Sequence, residues 1–290
     1  MTPKTPDFAR RFALGRVEGR AGEIAIMCRI PNLRLSLHDY SRFKHGDGAF
    51  ARTYGMLLAL HAIPACFERP GDIHVTASAY KVARPAAVAL LAPFVHTARL
   101  LAERHGFAGR ILPFRLHRLN LTHGDYATMN FHQRDAIIRQ NGLHLPEDVR
   151  LEGKNVIALD DIRVTGLHET AMDALLHQGG AACVLHAYVL DVADGHQDPE
   201  IEARINHACV RNMDDLIRMA ASRDFLVNAR FCRRILDEPA AEIRRFAAAS
   251  PLAVLGQLLH DAAGDELPQM PRYQKGFQEL LDAYRERVEG

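Results

Sequence analysis

Asn155-Val-Ile-Ala-Leu-Asp-Asp-Ile-Arg-Val-Thr-Gly-Leu-His-Glu-Thr170 is the stretch whose reading decides the fold. Four apolar residues, Val156 to Leu159, run into two adjacent carboxylates, Asp160 and Asp161. A turn with Thr165 and Gly166 follows, and a helix-like segment begins at Leu167. An uninterrupted apolar run of this length reads as a strand buried on both faces. Backbone N–H groups in the turn and in the first helical turn have no intrahelical acceptor and can hold an anion. The order is therefore buried strand, acidic edge, phosphate-sized loop and helix N-terminus. Asp160 and Asp161 sit where the hydroxyls of a sugar attached to that phosphate would lie, so the arrangement suits a phosphorylated pentose.

Working outward, strand and helix signals alternate. Ile73 to Thr76 is a short β-like run ending in the small turn Ala77-Ser78-Ala79. Residues Pro85 to Arg104 read as helix, with Val88, Leu91, Val95 and Leu101 among the apolar positions. Ile111 to Leu116 is a second strand candidate, Gln133 to Gln140 a short helix and Leu167 to Gln178 a longer one. Ala182 to Leu190 reads as a further buried strand. Strands alternating with helices predict parallel βαβ units with helices on both faces of the sheet, an α/β fold. Ligands of such sheets bind beyond the carboxyl ends of the strands, where Asp160 lies. The flanks differ: residues 1–70 mix Arg, His, Gly and Pro around one helical stretch near Ala49 to His61, and from Asp198 onward the pattern is mostly helical. The expected division is 1–70, a core over 71–195, and a helical region over 196–290.

The quoted stretch resembles the signature of the type I phosphoribosyltransferases: an apolar strand, Asp-Asp, and, two residues on, Thr-Thr-Gly-x-Thr. Here the signature positions are Asp160, Asp161, Val164, Thr165, Gly166, Leu167 and His168, with Val164 and His168 standing for threonines. The resemblance implies a parallel-sheet core whose flanking additions form a hood over the acceptor, with residues 1–70 as the N-terminal hood region. It also implies that residues Val164 to His168 hold the 5-phosphate of phosphoribosyl pyrophosphate and that Asp160 and Asp161 contact the ribose as catalytic carboxylates, with Mg²⁺ nearby. In the family a second loop after the first core strand binds the diphosphate; the matching positions are Ser78, Ala79, Tyr80 and Lys81. The polar segment from Arg115 to Asn130 corresponds to a loop that closes over the substrate, with Arg115, His117 and Arg118 as diphosphate contacts. Gly124-Asp125-Tyr126 followed by Arg134 resembles a bacterial subset associated with tellurium-resistance or stress operons. The acidic residue that many members carry shortly after the Asp pair is replaced here by Arg163 and Val164.

Composition limits the alternatives. The 290-residue chain has a formal net charge of +1, which argues against a dedicated polyanion binder, and no tryptophan, which leaves few stacking platforms for nucleic acid. Its five cysteines are scattered, without a Cys-x-x-Cys pair, and point to reduced thiols rather than a disulfide framework or a zinc site. No His-Glu-x-x-His spacing occurs among the 16 histidines. Pro85 to Val95, the longest uncharged apolar candidate, is about half the ~20 residues that a membrane span needs. With no export signal, the expected location is cytoplasmic. The leading expectation is a transferase of nucleotide metabolism, a homodimer in one version, that uses phosphoribosyl pyrophosphate, Mg²⁺ and an unidentified small-molecule acceptor. A regulator that binds the same ligand, or a nucleotide, without turnover stays open beside it.

Overall fold

The computed structural model describes residues 11–20, 23–119, 142–192 and 200–290. The segment expected to be a mobile lid lies mostly outside these residues, and so does the helix expected at Gln133 to Gln140.

Eight strands are described: β1 (Arg11–Arg20), β2 (Glu23–Cys28), β3 (Ile73–Ala77), β4 (Ile111–Pro113), β5 (His117–Arg118), β6 (Leu143–His144), β7 (Asn155–Arg163) and β8 (Cys183–Val192). Six of them form one sheet in the order β2-β1-β8-β7-β3-β4. All neighbours in it are parallel except β1 and β2, which form an antiparallel edge. β5 and β6 pair separately, His117 opposite His144. The motif strand β7 lies in the interior of the sheet, with Leu159 opposite Ala77 of β3 and Ala187 of β8. A strand between two others, covered on both faces, accepts apolar residues at successive positions.

The two faces can be read along β7. Ile157 and Leu159 belong to a cluster with α2 (Gly48–Ala62) and α3 (Leu91–Arg104), through Leu58, Phe94 and Ala98. Val156 and Ala158 point the other way, to Met172 and Leu176 of α4 (Leu167–Gln178). Alternate side chains of one strand thus feed two helical layers. The run from Ala86 to Arg104, a 3₁₀ turn leading into α3, is long and apolar enough to cross a membrane by length and composition, longer than the uncharged stretch that the sequence suggests. Its buried residues, Leu90 and Phe94 among them, pack into the sheet's main cluster.

Two segments lie differently from the division at 70 and 195. β1 and β2 extend the central sheet, with Leu14 and Val17 in its main cluster. The Arg- and Gly-rich composition of β1 hides its strand alternation. Ile201 and Ile205 of α5 (Ile201–Asn206) also join that cluster, whereas a separate helical core begins at Val210. It is built from α6 (Met213–Ala220), α7 (Ala229–Leu236), α8 (Ala240–Ala249), α9 (Leu252–Gly264) and α10 (Pro271–Glu289).

The helical region is joined to the core near α1 (Leu37–Lys44). Asn228 caps α7 by accepting from the Phe231 N–H at 2.9 Å, while its amide nitrogen donates to the Lys44 carbonyl at 3.2 Å. Leu226 N–H donates to the Gly46 carbonyl at 2.8 Å, and Gly48 N–H to that of Asp224 at 2.9 Å. A helix cap used in this way satisfies orphan backbone groups of two elements with one side chain.

Candidate active site

The acidic pair lies near the carboxyl end of β7, and its two members face different neighbours. Asp160 Oδ1 accepts from Ser78 Oγ at 2.7 Å and from the Asp161 N–H at 2.9 Å. Its Oδ2 lies 3.7 Å from His168 Nε2, close but beyond hydrogen-bond distance. Asp161 Oδ2 accepts from Lys44 Nζ at 2.6 Å, and both of these side chains are buried. Burial and the neighbouring Asp161 charge push the Asp160 carboxyl up to about 7. His168 is driven down to about 4, mainly by burial and then by the charge of Arg118, so its ring is neutral near pH 7.

Beyond the pair, the chain turns at Val164-Thr165-Gly166. Gly166 has φ +77° and stands at the N-cap of α4, with its carbonyl accepting from the Thr170 N–H at 2.9 Å. That left-handed conformation favours glycine. The start of α4, at His168 and Glu169, borders the same space as Asp160. A cleft of about 220 Å³ occupies it. Its lining includes Ser78, Ala79, Arg118, Asp160 and Asp161 together with Val164, Thr165, Gly166 and His168.

Arg163, unexpected in this motif, is held by two carboxylates. Its Nη1 lies 3.1 Å from Asp191 Oδ1 and its Nε 3.5 Å from Glu169 Oε2. Glu169 also accepts from Arg11 Nε at 2.8 Å and from the Tyr188 hydroxyl at 2.8 Å. Burial works against the Glu169 charge, but the hydrogen bonds from Arg11 and Tyr188 outweigh it and hold the carboxyl below its ordinary value. Arg29 reaches Asp191 at 3.2 Å. This network braces the loop from β1, β7 and β8 together.

Three expected residues lie elsewhere. Tyr80, Lys81 and Arg115 line a different cleft, of about 620 Å³, between the core and the helical region. Lys81 Nζ pairs with Glu266 at 2.8 Å. The Arg115 guanidinium lies 3.9 Å from the Tyr80 ring centroid and donates to the carbonyls of Tyr80 and Lys81. The chain crosses from one cleft to the other after Ala79, and Arg115 holds that turn, so these three do not face the acidic pair. Leu167 starts α4 beside the cleft and is not among its lining residues. Among the other expected residues, Arg118 is the cation that reaches this cleft.

Other lining residues carry no motif. Glu202 of α5 and Arg233 of α7 reach the cleft. Lys44, on α1, is brought to Asp161 by tertiary packing alone and lines a neighbouring cleft rather than this one. Glu169 lies within the quoted stretch; its place in the first turn of α4, six residues after Arg163, was the one available signal.

The profile of the family described as PRTase ComF-like matches residues 30–280. No curated protein matches the chain. Among solved structures, a hypoxanthine-guanine phosphoribosyltransferase from Bacillus anthracis shows 14% identity over 50% of this chain and 69% of its own, with a TM-score of 0.32. A hypoxanthine phosphoribosyltransferase from Trypanosoma cruzi shows 16% identity over 53% of this chain and 74% of its own, also at a TM-score of 0.32. The profile match spans most of the sequence and includes the acidic pair, the glycine turn and α4: this chain belongs to the PRTase ComF-like family.

Proposed function

We propose that the protein binds phosphoribosyl pyrophosphate with Mg²⁺ and transfers the phosphoribosyl group to an acceptor. One observation carries this reading: the acidic pair, the Gly166 turn at a helix N-terminus and Arg118 share one cleft. The 5-phosphate would rest on the backbone donors of residues 164–168. Asp160, anchored by Ser78, would accept from ribose hydroxyls and offset positive charge developing at the anomeric carbon. Arg118 would take part of the diphosphate charge. In the transfer, the bond from C1 to the diphosphate oxygen breaks and its electron pair leaves with diphosphate. The acceptor's lone pair forms the new bond to C1, and the acceptor releases a proton.

Among the described residues no three His, Cys, Asp or Glu side chains converge as metal ligands. Such a site suits Mg²⁺, which keeps waters and binds through one or two carboxylates plus substrate oxygens. Asp160 and Asp161 are the carboxylates in place, and the ion, when bound, would neutralise diphosphate charge. A second reading, binding without turnover, is favoured by Lys44, whose ion pair engages Asp161 and leaves Asp160 as the member of the pair open to ribose.

Calorimetric titration with phosphoribosyl pyrophosphate and Mg²⁺, followed by a pyrophosphate-release assay over a panel of acceptors, separates the two. Binding with release supports transfer, and binding without release across the panel supports a sensor. Wild-type affinity in the double variant D160N/D161N would remove the acidic pair from either reading.

A further inference from the structure

A further cleft of about 330 Å³ opens beside the first, and Asp161, Pro85 and Arg233 line both. Its lining includes the end of α1, with Lys44 and His45, and Arg230, Arg233 and Arg234 of α7, together with Arg272 of α10. The interaction of Asn228 with the Lys44 carbonyl fixes α1 and α7 against each other.

Four of these five cations have a carboxylate partner: Lys44 with Asp161 at 2.6 Å, Arg230 with Glu202 at 3.7 Å, Arg234 with Glu238 at 3.1 Å and Arg272 with Asp237 at 2.6 Å. Arg233 is the exception. It is half-buried, lines both clefts and has no hydrogen bond or ion pair with any described residue through its guanidinium. The wall therefore carries one unmatched positive charge.

His45 supplies the second feature. It is fully buried, and its Nδ1 lies 2.8 Å from the Ser41 carbonyl. A carbonyl only accepts, so Nδ1 carries the proton and Nε2 is a bare acceptor. Nε2 has no partner among the described residues. Burial and the nearby arginines keep the ring neutral. A buried acceptor without a donor is costly, and a ligand N–H or O–H would remove that cost.

The two clefts divide the substrates. The turn at Ser78-Ala79 and the loop from Val164 to His168 open into the first cleft and not the second. Asp160 faces Ser78 and His168, whereas Asp161 faces Lys44 and the second cleft. We propose that the acceptor is a small carboxylic acid seated in the second cleft, its carboxylate on Arg233 and an N–H or O–H directed to His45. A single unmatched arginine selects a monoanion, and its planar fork suits a carboxylate. This assignment rests on the phosphoribosyl-transfer reading above.

The test uses the full chain with Mg²⁺. Phosphoribosyl pyrophosphate is titrated first. Small carboxylic acids that carry an N–H or O–H, and their matched carboxamides, are then titrated in the presence of ribose 5-phosphate, which occupies the first cleft without reacting. At least one acid should bind tenfold or more tightly than its amide. R233A should bring that ratio close to one, and R233K should retain part of it; thermal melts check that each variant folds. Equal affinity for every acid and amide in the wild type would overturn the proposal. So would R233A weakening phosphoribosyl pyrophosphate while the acid-to-amide ratio stays unchanged, since Arg233 would then serve the diphosphate. Preference for acids without any binding of phosphoribosyl pyrophosphate would leave the acid cleft standing and remove the transferase reading instead.

Discussion

Replacing Asp160 by Asn should stabilise the fold, and more so at high pH. The half-buried carboxyl sits beside Asp161 and is carried from 3.8 to about 7. At ~1.4 kcal/mol per pKa unit, ionising it in the folded protein costs up to roughly 4 kcal/mol more than in the unfolded chain. Asn keeps an acceptor oxygen for Ser78 Oγ and the Asp161 N–H and carries no charge. The native state holds the Asp160 proton between about pH 4 and 7, where the unfolded chain has released it. This contribution to wild-type stability is thus full below about 4 and is lost as pH rises through about 7. The variant lacks the effect, so its advantage should be small near pH 4 and reach a plateau of up to a few kcal/mol by pH 8. His168, driven down to about 4, contributes an opposite slope between about 4 and 6.5 in both proteins, and the difference between them isolates Asp160. Melting curves at pH 4.5, 6 and 8 measure it. For a chain of this size each kcal/mol moves the midpoint by about 2–4 °C or less. A difference that does not grow with pH, or a variant less stable at pH 8, would refute the reasoning. The same substitution should weaken ribose-phosphate binding, since the strained carboxyl is the one placed for the sugar.

Glu169→Gln removes the common counter-charge of Arg11 and Arg163 and should destabilise by roughly 3 kcal/mol, discounted for the partial exposure of Arg11; urea denaturation showing no change would contradict a bracing role. Tyr188→Phe removes one hydrogen bond to the same carboxylate and should cost about 1 kcal/mol by the same measurement. Gly166→Ala forces a side chain into a left-handed position 3.4 Å from the Arg163 guanidinium, at about 1–2 kcal/mol. It should also weaken ribose 5-phosphate in calorimetry, and unaltered affinity would place the phosphate elsewhere. Gly276→Ala puts a methyl group 2.0 Å from the Leu236 carbonyl, where α10 crosses α7, so overpacking of about 1–3 kcal/mol should appear in denaturation while phosphate binding stays intact.

The local order strand, carboxylates, glycine turn and helix was legible in residues 155–178 because each part depends on near neighbours. Apolar continuity marks an interior strand, Gly166 permits positive φ, and the first turn of any helix leaves donors open. The alternation of elements from Ile73 to Val192 likewise predicts a parallel sheet covered on both faces. Charge-rich β1 and the edge strand β2 were less visible, since pairing of β1 with β8 and of β2 with β1, rather than composition, makes them strands. The side chains that complete the site depend on contacts between distant segments. Lys44 meets Asp161 across 117 residues, and Ser78 meets Asp160 across 82. Nothing near Lys44 marks it as different from a solvated lysine. Tyr80 and Lys81 follow Ser78 directly in the chain yet face another cleft, because the path after Ala79 is set by Arg115 and Glu266. Short-range sterics thus decide a motif from its own residues. Which charges converge on that motif depends on the packing of whole helices, through contacts whose partners no local pattern names.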